Sequence, residues 1–341
     1  MTATSQGRNL LPMPPTCLYI EVTNRCNLKC VTCIRTFETR EDAHDLTFEE
    51  FREVVDQLSS LERAVLHGIG EPMLNRDLPR MVAYLKARGT YVLFNTNATI
   101  LTPDWQKNLI ESGLDELRVS MDAATEEKYE QIRGLPMLPN LIANLKELHQ
   151  LKQRLGASLP RVSLWLVGLK ENIHEMPAFF SIAEEVGADE VYLQRLVYAD
   201  GGPEGSVMSR NNSLHDSDER EVDEVLRVCE ELSREHGIAF QASGATDPRQ
   251  SIEGANDSYP WQACQRPFTL MYMTANGNIL PCCIAPFAVA LHEYPSIILG
   301  NVREESLEEI WHGERYQTFR SQLMSAEPAT PCRSCGVEWS L

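Results

Sequence analysis

The sequence predicts an α/β fold: a partial (β/α)6 TIM-like barrel followed by a small cysteine-rich C-terminal extension. Three observations predict it. Short apolar, β-type runs alternate with helical patterns up to about residue 195, and this alternation gives right-handed βα units on a parallel sheet. Polar clusters fall directly after those runs, at the strand ends where such barrels keep their chemistry. The cysteines are clustered: three lie at Cys26, Cys30 and Cys33, and five follow residue 260.

Composition sets the outer limits. The chain has 341 residues and is 43% hydrophobic, enough for a sizeable core. Its net charge of −18 argues against a nucleic-acid partner, which needs a basic face. No run approaches the length of a membrane span, and Met1 to Pro15 lacks the apolar core of a signal peptide. A cytoplasmic protein is expected, and its cysteines then suit metals or catalysis better than disulfides. The expected organisation is a flexible N-terminal segment (1–15), a barrel (16–255) and an extension (256–341).

The elements follow in order. Leu18 to Val22 is the first strand and runs into the cysteine loop. Thr47, with Glu50 three residues on, forms a capping box for a helix to about Leu61. Ala64 to His67 is a short buried strand ending in Gly68-Ile69-Gly70-Glu71-Pro72. A helix over 76–88 leads to strand Tyr91–Phe94, which ends in Asn95-Thr96-Asn97. Pro103 opens a helix to Ser112, and strand Glu116–Val119 ends in Ser120-Met121-Asp122. Helical segments fill 126–155, before strand Arg161–Val167, a helix over 173–186 and strand Glu190–Leu193. Residues 199–218 read as a loop over the barrel mouth or a linker. A helix over 219–235 and a strand over 238–241 finish the core. In the extension, Asn276-Gly277 predicts a hairpin with a type I′ turn.

Three thiols from one short loop can hold a single metal centre. Zinc normally takes four ligands and iron–sulfur clusters usually four thiolates, so three suggest a cluster with one iron left open. Cys26-x3-Cys30-x2-Cys33 after a first strand resembles the signature of the radical S-adenosylmethionine (radical SAM) enzymes. The resemblance implies a 4Fe–4S cluster whose open iron chelates SAM, and SAM cleavage to a 5′-deoxyadenosyl radical that abstracts a substrate hydrogen. A reductant such as flavodoxin or ferredoxin is implied as well.

The same resemblance implies further cofactor-binding residues. Gly70 and Glu71 match a motif whose glutamate and neighbouring backbone accept the SAM amino group. Asn95, Asn97, Ser120 and Asp122 are small polar groups suited to the ribose hydroxyls or SAM carboxylate, although strand-end caps are the plainer reading of them. Thr32 stands where the family usually has an aromatic residue, so adenine packing must differ here.

The C-terminal cysteines carry a second signal. Cys264-x12-Gly277-x4-Cys282 and Cys332-x2-Cys335 resemble the SPASM/twitch extension of radical SAM enzymes. Four thiolates, Cys264, Cys282, Cys332 and Cys335, would ligate one auxiliary 4Fe–4S cluster, and zinc is the alternative. Cys283 competes with Cys282 for the cluster, and the Gly-x4-Cys spacing favours Cys282, which leaves Cys283 either packed or a catalytic hydrogen donor; Cys17 and Cys229 read as buried small hydrophobes. The expected function is net oxidation of a small polar substrate (sugar, aminocyclitol or nucleoside). A radical epimerase and a peptide-modifying enzyme are the alternatives, and an electron-transfer or zinc protein is the non-enzymatic one.

Overall fold

The computed structural model describes residues 13–199, 202–243, 259–333 and 335. Most of segment 1–15 and of the polar stretch 242–259 therefore lies outside the described residues.

Six strands run parallel in chain order, as the alternation predicts, and a seventh follows. They are β1 (Cys17–Ile20), β2 (Arg63–Val65), β3 (Tyr91–Thr96), β4 (Glu116–Ser120), β5 (Arg161–Gly168), β6 (Glu190–Arg195) and β7 (Ala239–Ala242). Each pairs with the next. The connecting helices are α1 (Phe48–Val55), α2 (Leu78–Ala87), α3 (Pro103–Ser112), α4 (Glu126–Arg133), α5 (Leu138–Leu155), α6 (Ala178–Val186) and α7 (Glu219–His236). The capping box forms as expected, with Thr47 Oγ1 accepting from Glu50 N at 3.2 Å and Thr47 N donating to Glu50 Oε2 at 2.9 Å. That helix stops at Val55, short of Leu61.

Side-chain alternation sorts the strands into two faces. On β1, Leu18 and Ile20 are fully buried in the main apolar core, whereas Tyr19 faces the interior cavity. The same split places Arg118 and Ser120 of β4, Trp165 and Val167 of β5, and Tyr192 and Gln194 of β6 on the cavity side.

The extension does not stand apart from the barrel. After α8 (Arg266–Thr269), β8 (Leu270–Met273) pairs in parallel with β1, from Cys17↔Leu270 to Ile20↔Met273. Antiparallel β9 (Asn278–Leu280) and β10 (Gly300–Asn301) complete one open sheet, in the order β10-β9-β8-β1-β2-β3-β4-β5-β6-β7. Helices α9 (Leu307–His312) and α10 (Glu314–Leu323) follow.

The hairpin turn differs from expectation. Gly277 N donates to Thr274 O at 2.9 Å, and Gly277 alone takes a positive φ, of 86°. A type I′ turn needs positive φ at both central residues. The loop is instead a type I turn closed by a left-handed glycine, because Asn276 is bound elsewhere, to Glu41 Oε2 and Asp42 O.

The segment after the cysteine loop clamps this hairpin. Glu41 accepts from Asn276, Asn278 and Tyr294, while Arg40 donates to Pro286 O and Val289 O, each at 2.7 Å. The loop of residues 202–218 packs on the cysteine loop: Met208 is buried with Ile34, Leu196 and Tyr198, and Val207 N donates to Val31 O.

Candidate functional site

The cysteine loop is held from two sides. Val31 N donates to Ile132 O at the end of α4, and Thr36 Oγ1 and Arg35 Nη2 donate to Cys30 O and Leu28 O. On the other side Thr23 Oγ1 donates to Asp45 Oδ1 at 2.6 Å, and Asn24 Nδ2 to Asp42 O at 2.7 Å. Cys26, Cys30 and Cys33 all line one partly open cavity of about 320 Å³ inside the barrel. The three thiols repel one another's charge, and burial pushes Cys33 up to about 12. Ligation therefore has to displace their protons.

Gly70 and Glu71 lock onto this loop. A Cβ on Gly70 would lie 2.1 Å from Thr23 O, so only glycine allows the two backbones to pass. Glu71 N donates to Arg25 O. Glu71 itself is buried, its Oε1 accepting from Met73 N (3.1 Å) and Thr96 Oγ1 (2.8 Å), and its Oε2 from Asn97 N (2.8 Å). Burial raises its pKa against those three bonds. One acceptor position on Oε2 remains for a ligand, since each carboxylate oxygen accepts two hydrogen bonds.

The other expected cofactor contacts divide. Asn95 and Ser120 line the cavity, and neither side chain has a hydrogen-bond partner among the described residues. Asn97 is engaged: its Nδ2 donates to Asn27 Oδ1 at 2.9 Å and approaches Cys26 Sγ at 3.9 Å, orienting the first cysteine. Asp122, in left-handed backbone at φ 62°, pairs through Oδ2 with Arg133 Nη1 at 2.9 Å and accepts Val167 N on Oδ1. Its carboxylate is thus committed to Arg133, whose Nη2 also holds Ser120 O. Arg133 was not singled out by sequence reasoning. It is buried, and the Cys30 and Asp122 charges favour its cationic form against burial. Thr32 contributes to the cavity beside Leu28, Ile69 and Val167, which supply apolar surface where the usual aromatic residue is missing.

The cavity continues to the extension. Cys283, Arg266, Tyr19 and Ile284 line its far part, whereas Cys282 does not. Cys282 lies near Cys264 and Cys335 instead: burial raises its pKa, the charges of neighbouring Cys283, Cys264 and Cys335 add to it, and Arg266 opposes them. Burial also raises the pKa of Cys332, and the charges of Cys282, Cys335 and Cys264 add to it, Cys283 not being among them. The adjacent thiols thus part, one toward the four-cysteine set and one toward the cavity. Cys17, expected to be buried, is half-buried instead, and burial with the nearby charge of Cys283 lifts its pKa to about 12. Cys229 is buried as expected. Among the described residues no group of three His, Cys, Asp or Glu side chains forms a cage for one metal ion.

Between the two ends lie side chains that the motifs did not flag. Arg118 donates from Nε to Glu116 Oε1 at 2.7 Å and sits 4.7 Å from the Trp165 ring, which stacks on Tyr192 at 3.8 Å. His67 Nδ1 is buried with no partner among the described residues, and burial beside Arg118 pulls its pKa to about 4. The available signal was the two-residue alternation that puts Arg118 on the face of Ser120, and Tyr19 on that of Glu21.

Comparison with known proteins agrees with this geometry. Residues 20–182 match the family described as the radical SAM superfamily, and 264–336 match SPASM, an iron–sulfur cluster-binding domain. An AdoMet-dependent heme synthase from Methanosarcina barkeri is 25% identical over 94% of this chain and 88% of its own. A PqqA peptide cyclase from Granulibacter bethesdensis is 27% identical over 96% of this chain and 82% of its own. In fold, the chain is similar to Streptococcus suis SuiB bound to S-adenosylmethionine (TM-score 0.71, 17% identity), over 94% of this chain and 77% of that one.

Proposed function

The chain belongs to the radical SAM superfamily and carries a SPASM iron–sulfur domain, and from that premise we propose that it modifies a peptide, oxidising one residue held in the cavity. Its radical SAM domain binds S-adenosylmethionine and a 4Fe–4S cluster, and its SPASM domain binds auxiliary iron–sulfur. When bound, these groups supply a 5′-deoxyadenosyl radical and an acceptor for one electron. The observation that carries the proposal is the single cavity, lined by Cys26, Cys30 and Cys33 in one part and by Cys283 and Arg266 in another. A substrate carbon in it lies between a hydrogen-abstracting end and an electron-accepting end.

The residues take these roles. Cys26, Cys30 and Cys33 hold the first cluster, and Cys264, Cys282, Cys332 and Cys335 the auxiliary one. Glu71 accepts the SAM ammonium on its remaining Oε2 position, with Gly70 allowing the approach. Arg133, aligned by Asp122, holds the SAM carboxylate, and Asn95 and Ser120 bond ribose hydroxyls. Asn97 orients Cys26.

A peptide is favoured over the small polar metabolite expected from sequence. The PqqA peptide cyclase aligns over nearly the whole chain, so this barrel and extension suffice to align with a protein named for peptide chemistry. A cavity of about 320 Å³ that must also receive SAM suits an inserted side chain. A second reading rests on Cys283: a thiol facing the cavity can return hydrogen to a substrate radical, giving an epimer.

The test is anaerobic reaction of the cluster-loaded enzyme with SAM, dithionite and a pool of short peptides deuterated on carbon. Deuterium should appear in 5′-deoxyadenosine; product masses are read on the same pool unlabelled, where the peptide product should be about two mass units lighter from loss of two hydrogens. Deuterium drawn only from a deuterated sugar pool would return the small-metabolite reading. An unchanged product mass in water, with carbon-bound deuterium gained in deuterium oxide and lost in Cys283→Ala, would establish the epimerase.

A further inference from the structure

We propose that Arg118 and His67 form a binding site for a carboxylate of the substrate, within the peptide reading an acidic side chain. The chain is strongly acidic overall, at −18, yet its cavity is lined by four guanidiniums (Arg118, Arg133, Arg195, Arg266) against two carboxylates, Glu71 and Asp122. Asp122 pairs with Arg133. Arg266 and Arg195 face the charge of the extension's thiols, through Cys282 and Cys335 among others. Arg118 lies apart from both groups.

Its geometry suits an incoming anion. Glu116 accepts Nε at 2.7 Å and Nη2 at 3.5 Å, fixing one edge of the fork, and the Trp165–Tyr192 stack fixes its plane. Among the described residues Nη1 has no acceptor. A planar guanidinium with an open edge matches a carboxylate. His67 supplies a second donor beside it. Its buried Nδ1 has no partner among the described residues, and a buried polar atom left unpaired costs free energy that a ligand recovers. Held neutral, the imidazole donates N–H to an anion without adding charge. Nearby Tyr19 lines the same cavity, and its phenol stays protonated because the neighbouring thiols and burial raise its pKa.

The experiment measures binding by calorimetry to anaerobic, cluster-loaded enzyme with SAM, using Ac-Ala-Glu-Ala-NH2, Ac-Ala-Gln-Ala-NH2 and glutarate as probes. The acidic tripeptide should bind about tenfold tighter than the neutral one, the yield of one charge-assisted bond. Arg118→Gln should abolish that preference, Arg118→Lys should keep part of it, and His67→Gln should reduce it. Glu116→Gln, which removes the competing acceptor, should tighten the acidic probe, an effect that a purely structural role for the pair would not give. Iron content reports whether each variant folds, and Glu116→Gln/Arg118→Gln removes the half-buried pair together should the single variant fail.

Equal binding of both tripeptides would overturn the carboxylate site and leave the peptide reading standing. Glutarate binding that depends on Arg118, with neither tripeptide bound, would keep the site and overturn the peptide reading. Binding of no probe would overturn both.

Discussion

Arg133 shows how much rests on one side chain. It is buried, paired with Asp122 and bonded to Ser120 O, and it stands beside Cys30. Removing one partner of a buried ion pair typically costs about 3–5 kcal/mol, because the other charge is stranded. Arg133→Gln should therefore lower thermal stability strongly, and Asp122→Asn/Arg133→Gln should recover much of the loss. SAM affinity should stay weak in the double variant. Recovery of SAM binding along with stability would place the carboxylate contact elsewhere. Glu71→Ala should also weaken SAM binding, by about tenfold or more for one lost charge-assisted bond. It should cost stability as well, since Met73 N, Thr96 Oγ1 and Asn97 N lose their acceptor. Glu71→Gln, which keeps one oxygen, should lose less. The cysteines and Gly70-Glu71 were legible in the sequence because their spacing is a chemical constraint. Arg133, Arg118 and His67 were not, because an arginine on a helix end or strand looks like any surface arginine until a partner such as Asp122 is in place.

At the scale of elements, β1 carries the argument. It leads into the cysteine loop, and its Glu21 joins two other segments, accepting Ile69 N at 2.6 Å and Ala275 N at 3.1 Å. Glu21 thus ties the Gly70-Glu71 turn to the hairpin of the extension. Burial raises its pKa to about 7 against those two bonds. Between the usual carboxylate value and about 7 the folded state binds the extra proton, so stability falls as pH rises through that window. Glu21→Gln should flatten this dependence in thermal melts of the cluster-loaded protein between pH 5 and 7.5, with up to about 3 kcal/mol at stake. An unchanged slope would assign it to another group. Strand order and the capping box could be read from pattern, since period and cap chemistry are local. The turn at Gly277 was misread because Asn276 is drawn to Glu41 and Asp42, more than 200 residues earlier. No local pattern holds that contact.

For the whole molecule, the feature that matters is continuity. The extension was expected as a unit added after the barrel, yet β8 pairs directly with β1, so one sheet carries both cysteine sets. Barrel class followed from alternation, but this parallel pairing joins residues some 250 positions apart and had no signal in spacing. Its consequence is that Cys283 and Cys26 line the same cavity. No helix among the described residues is long and apolar enough to cross a membrane. The central claim is that one cavity lies between two iron–sulfur clusters. It is tested most directly by iron and sulfide content after anaerobic reconstitution, in wild type and in a variant with Cys26, Cys30 and Cys33 all changed to Ala. The wild type should hold roughly eight irons per chain, and the variant roughly four, with no 5′-deoxyadenosine formed. Roughly four irons in the wild type, or no loss of iron in the variant, would contradict the account.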